Sequence, residues 1–138
     1  MSTAPPLAGL LDLAGLRERA AVVLAPADES EPPVLVAPVD AVDPPALMLA
    51  WEDPWLTFRT PCYWNARLAV VCFAGRLEPD AGVAELEALV AHTINRLGAD
   101  AYAWPHETTR APRQLEVAGI PLLSARVIYA CPTTMRGT

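Results

Sequence analysis

The sequence predicts an α+β fold, in which a mixed, largely antiparallel sheet is covered by two main helices. Three patterns predict it: a strand that is apolar on both faces, a long amphipathic helix after it, and two alternating segments near the end. The chain has 138 residues, of which 53% are hydrophobic and 19% charged, so it is long enough for one domain with a buried core. This composition excludes global disorder. We expect a single domain over 1–138, with flexible tails at 1–5 and 132–138.

The first half of the chain predicts one helix followed by short strands. Apolar residues recur at helical spacing between Leu7 and Ala14, which favours an amphipathic helix. The pairs Asp53-Pro54 and Thr60-Pro61 are typical of turns and separate the strands that we expect there. The expected elements are a helix over Pro6–Ala21, a Pro-rich acidic loop or arm over 26–45 that holds a strand at Val34–Ala37, and strands at Ala46–Trp51 and Trp55–Arg59.

The middle of the chain predicts a central strand and the longest helix. Arg67–Arg76 is apolar at odd and even positions alike, which indicates a strand covered on both sides. Pro79–Gly98 has helical periodicity, with Asp80 as the expected N-cap and Gly98 as the residue that stops the helix. The residues expected on its buried stripe are Val83, Leu86, Val90, Ile94 and Leu97.

The last third predicts a hairpin. Gln114–Ala118 and Leu122–Cys131 alternate between apolar and polar residues, and Gly119–Pro121 forms the expected turn. We expect Leu115, Val117, Leu123, Ala125, Val127, Tyr129 and Cys131 to face inward, and Glu116, Ser124 and Arg126 to face outward.

The net charge of −6 argues against a protein that grips nucleic acid. The stretch from Ala20 to Phe58 holds seven acidic residues and no Arg. Such a segment is a solvated loop or a lining along which DNA slides without adhering. The acidic residues expected to face a passage of this kind are Asp28, Glu29, Glu31, Asp40 and Asp43.

Residues that carry enzyme or metal chemistry are scarce in the sequence. His92 reads as a solvated side chain on the second helix, His106 falls in an expected loop, and the absence of Lys excludes a P-loop. The three Cys form no CxxC pair, Cys72 reads as a buried thiol, and a reducing compartment follows. No signal peptide or membrane-spanning run is visible, so synthesis in the cytoplasm is expected. We expect no enzyme, no cofactor and no metal site.

Aromatic residues crowd one stretch, between Trp51 and Trp64. Core packing accounts for such a cluster, yet the neighbouring turns favour exposure of some rings at a sheet edge. Large aromatic side chains with an Arg nearby have the composition of interface anchors. The expected interface residues are Trp51, Trp55, Phe58, Arg59, Tyr63 and Trp64.

The order of these segments resembles the tail terminator proteins of long-tailed, siphovirus-type bacteriophages, in particular those of actinobacterial hosts. The segments that carry the resemblance are PALMLAWEDPWL, AVVCFAGRLEPDAG, ELEALVAHTINRL and VAGIPLLSARVIYACP. The resemblance implies a small protein that assembles into a hexameric ring. It also implies that the ring caps the tail tube, stops its polymerisation and faces the head connector, with no catalytic residues.

The partners implied are further copies of the chain, the tail tube protein, the head–tail connector protein and DNA that passes without specific binding. The implied location is the virion tail or neck, reached from the host cytoplasm. Three alternatives stay open at this point. The first is a head-completion or tail-adaptor neck protein, and the second is a small α+β module that binds an unknown ligand between helix and sheet. The third is a small enzyme whose site only the fold assembles.

Overall fold

The computed structural model describes residues 10–60, 63–75 and 78–134, and it contains two helices and one five-stranded sheet. The strand order is β1-β2-β3-β5-β4, in which β1 pairs parallel with β2 and the other described pairs are antiparallel. The predicted α+β fold is therefore confirmed. The elements are α1 Leu13–Leu24, β1 Val34–Val36, β2 Ala46–Thr60, β3 Tyr63–Phe73, α2 Pro79–Gly98, β4 His106–Val117 and β5 Ile120–Thr133.

Strand β3 lies at the centre of the sheet and is buried on both faces, as its sequence predicts. It starts at Tyr63 rather than at Arg67 and ends at Phe73, while the predicted end at Arg76 lies outside the described residues. One face packs in the larger core cluster beneath the helices, and the other packs in a second, smaller cluster. We call these the helix face and the second face. Helix-face residues of β3 include Leu68, Val70 and Cys72, and second-face residues include Ala69, Val71 and Phe73.

Helix α2 has the predicted bounds, but its buried stripe differs from the predicted one. Leu86 and Leu97 are buried as expected, whereas Ile94 is 39% exposed. Thr93 is fully buried instead, and its hydroxyl donates to the carbonyl of Leu89 at 3.0 Å. A threonine that satisfies its hydroxyl within its own helix packs like a small apolar residue. Because threonine counts as a polar residue, a prediction based on hydrophobic spacing does not place position 93 in the core.

The ends of both helices depend on groups other than those expected. The predicted helix is wrong over residues 10–12, because helix α1 starts at Leu13. The side chain of Asp12 accepts a hydrogen bond from the Gly15 amide at 2.7 Å and caps the helix. The predicted start falls among residues 1–9, which lie outside the described residues.

Helix α2 is preceded by Glu78 as N-cap rather than by Asp80, which lies in its first turn. Pro79 occupies the first helical position, where a missing amide hydrogen costs nothing. At the other end Gly98 is the last helical residue, and the C-cap is Ala99 in right-handed conformation. The prediction that Gly98 stops the helix through its backbone freedom is therefore wrong.

Strand β2 is one continuous strand, and the expected break at Asp53-Pro54 is wrong. The chain passes this pair as an irregularity in the register between Trp51 and Leu56. Strand β1 pairs only with Leu47 to Leu49, so the outer side of β2 beyond that point has no partner strand among those described. Proline is tolerated there because no ladder hydrogen bond is required of it.

The hairpin of β4 and β5 is longer than predicted at both ends. Strand β4 begins at His106 rather than at Gln114, and the turn consists of Ala118 and Gly119, both with positive φ, at 52° and 81°. Two consecutive left-handed residues match the right-handed twist of the strands that they join. Thr133 is fully buried in β5 and donates to the carbonyl of Leu11 at 2.7 Å.

The predicted flexible tail is therefore wrong for Pro132 and Thr133, whereas residues 135–138 lie outside the described ones. Three side chains of this hairpin lie in places other than those predicted. Ser124 is buried rather than exposed, and Leu115 and Val117 pack on the second face rather than beneath the helices. The inward residues of β5 follow the prediction, because Ala125, Val127, Tyr129 and Cys131 lie in the larger cluster.

An ion pair joins α1 to the end of α2. Asp100 accepts hydrogen bonds from Nε and Nη2 of Arg19 at 2.9 and 2.8 Å, and from Nε1 of Trp104 at 2.9 Å. These contacts, with that of Arg19 the largest, lower the pKa of the Asp100 carboxyl to about 2. The ion pair therefore stabilises the fold above the unfolded pKa of about 3.9 and loses its effect as the pH falls towards 2.

We predict that Leu86→Asp destabilises the protein by about 3 kcal/mol or more, because it places an unpaired carboxylate in the core. Ile94→Asp on the same helix is the matched control, and it should change the free energy of unfolding by less than about 1 kcal/mol. Urea unfolding followed by circular dichroism measures both. Equal losses in the two variants would contradict the observed helix face.

We predict that Arg19→Gln flattens the acid limb of the stability curve. Between pH 4 and pH 2 the native protein loses on the order of 1 kcal/mol more than the variant, after allowance for solvent screening. Arg17→Gln removes a charge from the same helix and should leave the acid limb unchanged, since no ion pair of Arg17 is present in the described part of the chain. Urea unfolding at several pH values gives the comparison.

Candidate functional site

The predicted aromatic residues lie together at one end of β2 and β3, beyond the reach of β1. The rings of Trp51 and Trp55 lie with centroids 5.7 Å apart, and those of Phe58 and Trp64 meet edge to face at 5.6 Å. Trp55 is 45% exposed and Phe58 is 64% exposed. We call Trp51, Trp55, Phe58, Tyr63 and Trp64 the aromatic edge. Its exposed rings sit beside the unpaired outer side of β2, and the predicted neighbours Arg59, Tyr63 and Trp64 are respectively exposed, half-buried and half-buried.

The opposite edge of the sheet is strand β4, which sequence reasoning placed largely in a loop. Every side chain from His106 to Gln114 is exposed, and β4 pairs with β5 on one side only among the strands described. Its outer backbone groups are therefore free to pair with another strand. Among the described strands, backbone is thus unpaired on both sides of the sheet: along β4 on one side, and along β2 beyond β1, where the aromatic rings lie, on the other.

Strands β4 and β5 also bring three arginines together on the second face of the sheet. Arg126 donates to Oε1 of Glu52 at 2.6 Å, Arg110 forms an ion pair with Oε2 at 3.2 Å, and Arg113 lies in the same cleft. We call Glu52, Arg110, Arg113 and Arg126 the arginine cluster. It encloses a cavity of about 110 Å³. Sequence reasoning missed it because Glu52 is far from the arginines along the chain, and Arg126 was expected simply to face solvent.

A second ion pair fixes the start of β4 to the centre of the sheet. Arg67 is buried, and its Nε and Nη2 both lie 2.9 Å from Oε1 of Glu107. Its Nη1 donates to the carbonyl of Pro54 at 3.2 Å. Arg67 therefore connects β3 to the irregular stretch of β2 and, across β5, to β4.

The acidic residues that were expected to face a passage occupy the loops around β1. Glu31 is engaged within the fold, because it accepts from the Ala27 amide at 2.9 Å and pairs with Arg96 at 2.7 Å, and these contacts lower its pKa. Asp28 accepts from the hydroxyl and amide of Ser30, which also lowers its pKa. The other three, Glu29, Asp40 and Asp43, are exposed.

These loops border a cavity of about 490 Å³ beside α2. Glu29, Glu31, Asp43 and Glu85 line it together with His92. The cavity lies outside the helix–sheet interface, which is filled by the larger core cluster. A ligand between helix and sheet, as one alternative expects, would have to displace that core.

Four residues that can take part in catalysis, His106, Ser124, Cys72 and Cys131, are engaged in the fold or buried. His106 shares a hydrogen bond of 2.8 Å with Thr109 in β4, and the Ser124 hydroxyl donates to the carbonyl of Arg113 at 3.2 Å. Burial raises the pKa of both Cys72 and Cys131 to about 12, which keeps these thiols protonated. Cys62 and Ser2 lie outside the described residues. Over the described ranges, His, Cys, Asp and Glu form no group of three or more that is placed to hold a metal ion.

The helices of the described part of the chain offer no membrane-spanning segment, since none of them is both long and apolar enough to cross a bilayer.

We predict that Cys72 and Cys131 resist alkylation in the native protein at pH 8, because the reactive thiolate is suppressed and the sulfur atoms are buried. Labelling with iodoacetamide, followed by peptide mass spectrometry, separates these two sites from Cys62. Both should label at least about tenfold faster in urea than in buffer. Native labelling of Cys72 at the rate of the unfolded chain would contradict its placement in the core.

No protein-family model matches the chain, and a search of curated protein sequences finds no match. The case for a function therefore depends on the surface of the molecule itself. Its distinctive features are the aromatic edge, the unpaired strand β4 and the arginine cluster.

Proposed function

We propose that the protein is a structural component of a bacteriophage tail, a terminator that forms a homo-oligomeric ring at the end of the tail tube. The observation that carries the proposal is the pair of unpaired sheet edges: strand β4 on one side and the aromatic edge of β2 on the other. The sequence resemblance to tail terminators supplies the biological setting.

Two different edges on opposite sides of one sheet favour head-to-tail contacts. If β4 of one copy pairs with the outer side of β2 in the next, every contact joins unlike surfaces. Heterologous contacts close into a ring when the rotation between copies allows it, and otherwise they grow into a filament. A closed ring, six-fold as the resemblance implies, would pair strand β4 and the free part of β2 in every copy.

The aromatic edge provides the apolar part of such a contact. Trp55 and Phe58 expose much of their rings in the single chain, and Arg59 lies beside them. Burial of a large aromatic side chain at the centre of an interface typically supplies a major share of the binding energy. The half-buried Trp51 packs against the ring of Trp55, and the half-buried Trp64 packs against the ring of Phe58.

A structural role also accounts for the charge of the chain. In the proposed ring, the exposed carboxylates of Glu29, Asp40 and Asp43 line the passage and repel the phosphate backbone of transiting DNA. Imaging of the ring tests this part separately. Carboxylates found on the outer rim would remove it without affecting the ring itself.

We predict that Trp55→Ala weakens ring assembly by about 2 kcal/mol at each contact, while it leaves the melting temperature of the single subunit nearly unchanged. Val22→Ala is the matched control, because Val22 is an exposed apolar residue of helix α1 and belongs to neither β2 nor β4. Light scattering and negative-stain imaging, with the protein alone and mixed with tail tubes, give the size and symmetry of the assembly. A protein that stays monomeric in both settings at high concentration would overturn the proposal.

A further inference from the structure

The arginine cluster has more positive charge than its surroundings neutralise. Three guanidinium groups surround a single carboxylate, which leaves the cleft with a charge of +2 in a chain whose net charge is −6. Like charges at close range repel each other, so a site of this kind is costly unless a further group balances it. The cavity of about 110 Å³ between these side chains has room for a small ligand.

Glu52 is the buried carboxylate that holds the cluster in place. It is 6% exposed, and its two oxygens are each engaged by a different arginine, Oε1 by Arg126 and Oε2 by Arg110. These contacts hold two guanidinium groups side by side at the cavity. Both oxygens of the carboxylate have an arginine partner already, and none of the contacts that the structure shows joins Glu52 to Arg113.

A bulge in β4 directs Arg113 to the same face as Arg110. In a regular strand, residues three apart point to opposite faces. Here Arg110 pairs with Arg126 and Arg113 pairs with Ser124, so three steps on β4 match two steps on β5. The extra residue falls at Ala111-Pro112, and the hydroxyl of Ser124 donates to the carbonyl of Arg113. Bulges of this kind re-aim side chains at functional sites.

The guanidinium of Arg113 has no hydrogen bond or ion pair within the described ranges. Arg110 and Arg126 likewise contact Glu52 through one terminal nitrogen each and keep further N–H donors for another acceptor. The donors of all three groups therefore remain available at one small cavity.

We propose that this cavity binds a phosphate group. The paired N–H donors of a guanidinium group match the oxygens of phosphate. A phosphate dianion also balances the charge of +2 that remains in the cleft, whereas a carboxylate ligand would balance only half of that charge. The ligand is inorganic phosphate or the monoester phosphate of a small molecule. The site belongs to the single chain and does not depend on the proposed ring.

The test is an NMR titration of labelled protein with inorganic phosphate at constant ionic strength. The arginine Nε–H signals of Arg110, Arg113 and Arg126 and the amides of the β4 bulge should shift with a common, saturable curve. Acetate is titrated in parallel and should bind at least about tenfold more weakly, since it has half of the charge. A second arm with glycerol phosphate identifies the source of the phosphate, because tighter binding than inorganic phosphate indicates a monoester.

Arg113→Gln should weaken phosphate binding by about tenfold or more, which corresponds to the loss of one charge-assisted contact. The fold should not change, because this side chain makes no hydrogen bond or ion pair in the described part of the chain, and thermal melting checks that. Arg17→Gln is the matched control: it removes the same charge from helix α1, outside the cleft, and should leave binding unchanged. Equal weakening in both variants, or binding of acetate as tight as that of phosphate, would overturn the proposal.

Discussion

The double-sided burial of strand β3 is the constraint on which the rest of the structure depends. From Ala66 to Phe73 every residue is buried, and the strand is hydrogen-bonded to β2 on one side and to β5 on the other. A one-residue slip of β3 would exchange its two faces and misplace both core clusters at once. The registers of β2 and β5 are therefore fixed from the centre, and the edges of the sheet are left to differ from one another.

The features with apolar periodicity could be predicted from the sequence. The burial of β3, the bounds of α2 and the helix-face residues of β5 follow from it, because burial selects apolar residues at regular spacing. Strand β4 could not be predicted in the same way. Its residues from His106 to Gln114 are exposed on both faces, so no alternation marks them as a strand. Thr93 shows the converse case, in which a polar residue satisfies its own hydroxyl and takes a core position.

The arginine cluster lies beyond sequence reasoning for a different physical reason. Its members come from β2, β4 and β5, and only the strand order brings them together. The local signal was the spacing of Arg110 and Arg113 around Pro112, which is compatible with a loop as much as with a bulge. The aromatic edge was easier to find, since its rings are close in sequence. Even so, the sequence did not reveal that Glu52 and Trp55 lie on one continuous strand, because Pro54 suggested a break.

Subunit pairing and phosphate binding, as we propose them, would both involve strand β4. Its backbone edge is the surface offered to a neighbouring copy, while Arg110 and Arg113 project from the same strand to the second face of the sheet. A ligand that binds more tightly to one assembly state than to the other shifts the equilibrium between them by that difference in affinity. A phosphate that rigidifies the bulge would pre-order the edge and reduce the entropy lost on pairing, and so would favour assembly. The two proposed functions would thus be separable by mutation, since Trp55 lies at the far edge of the sheet, and would be linked through strand β4.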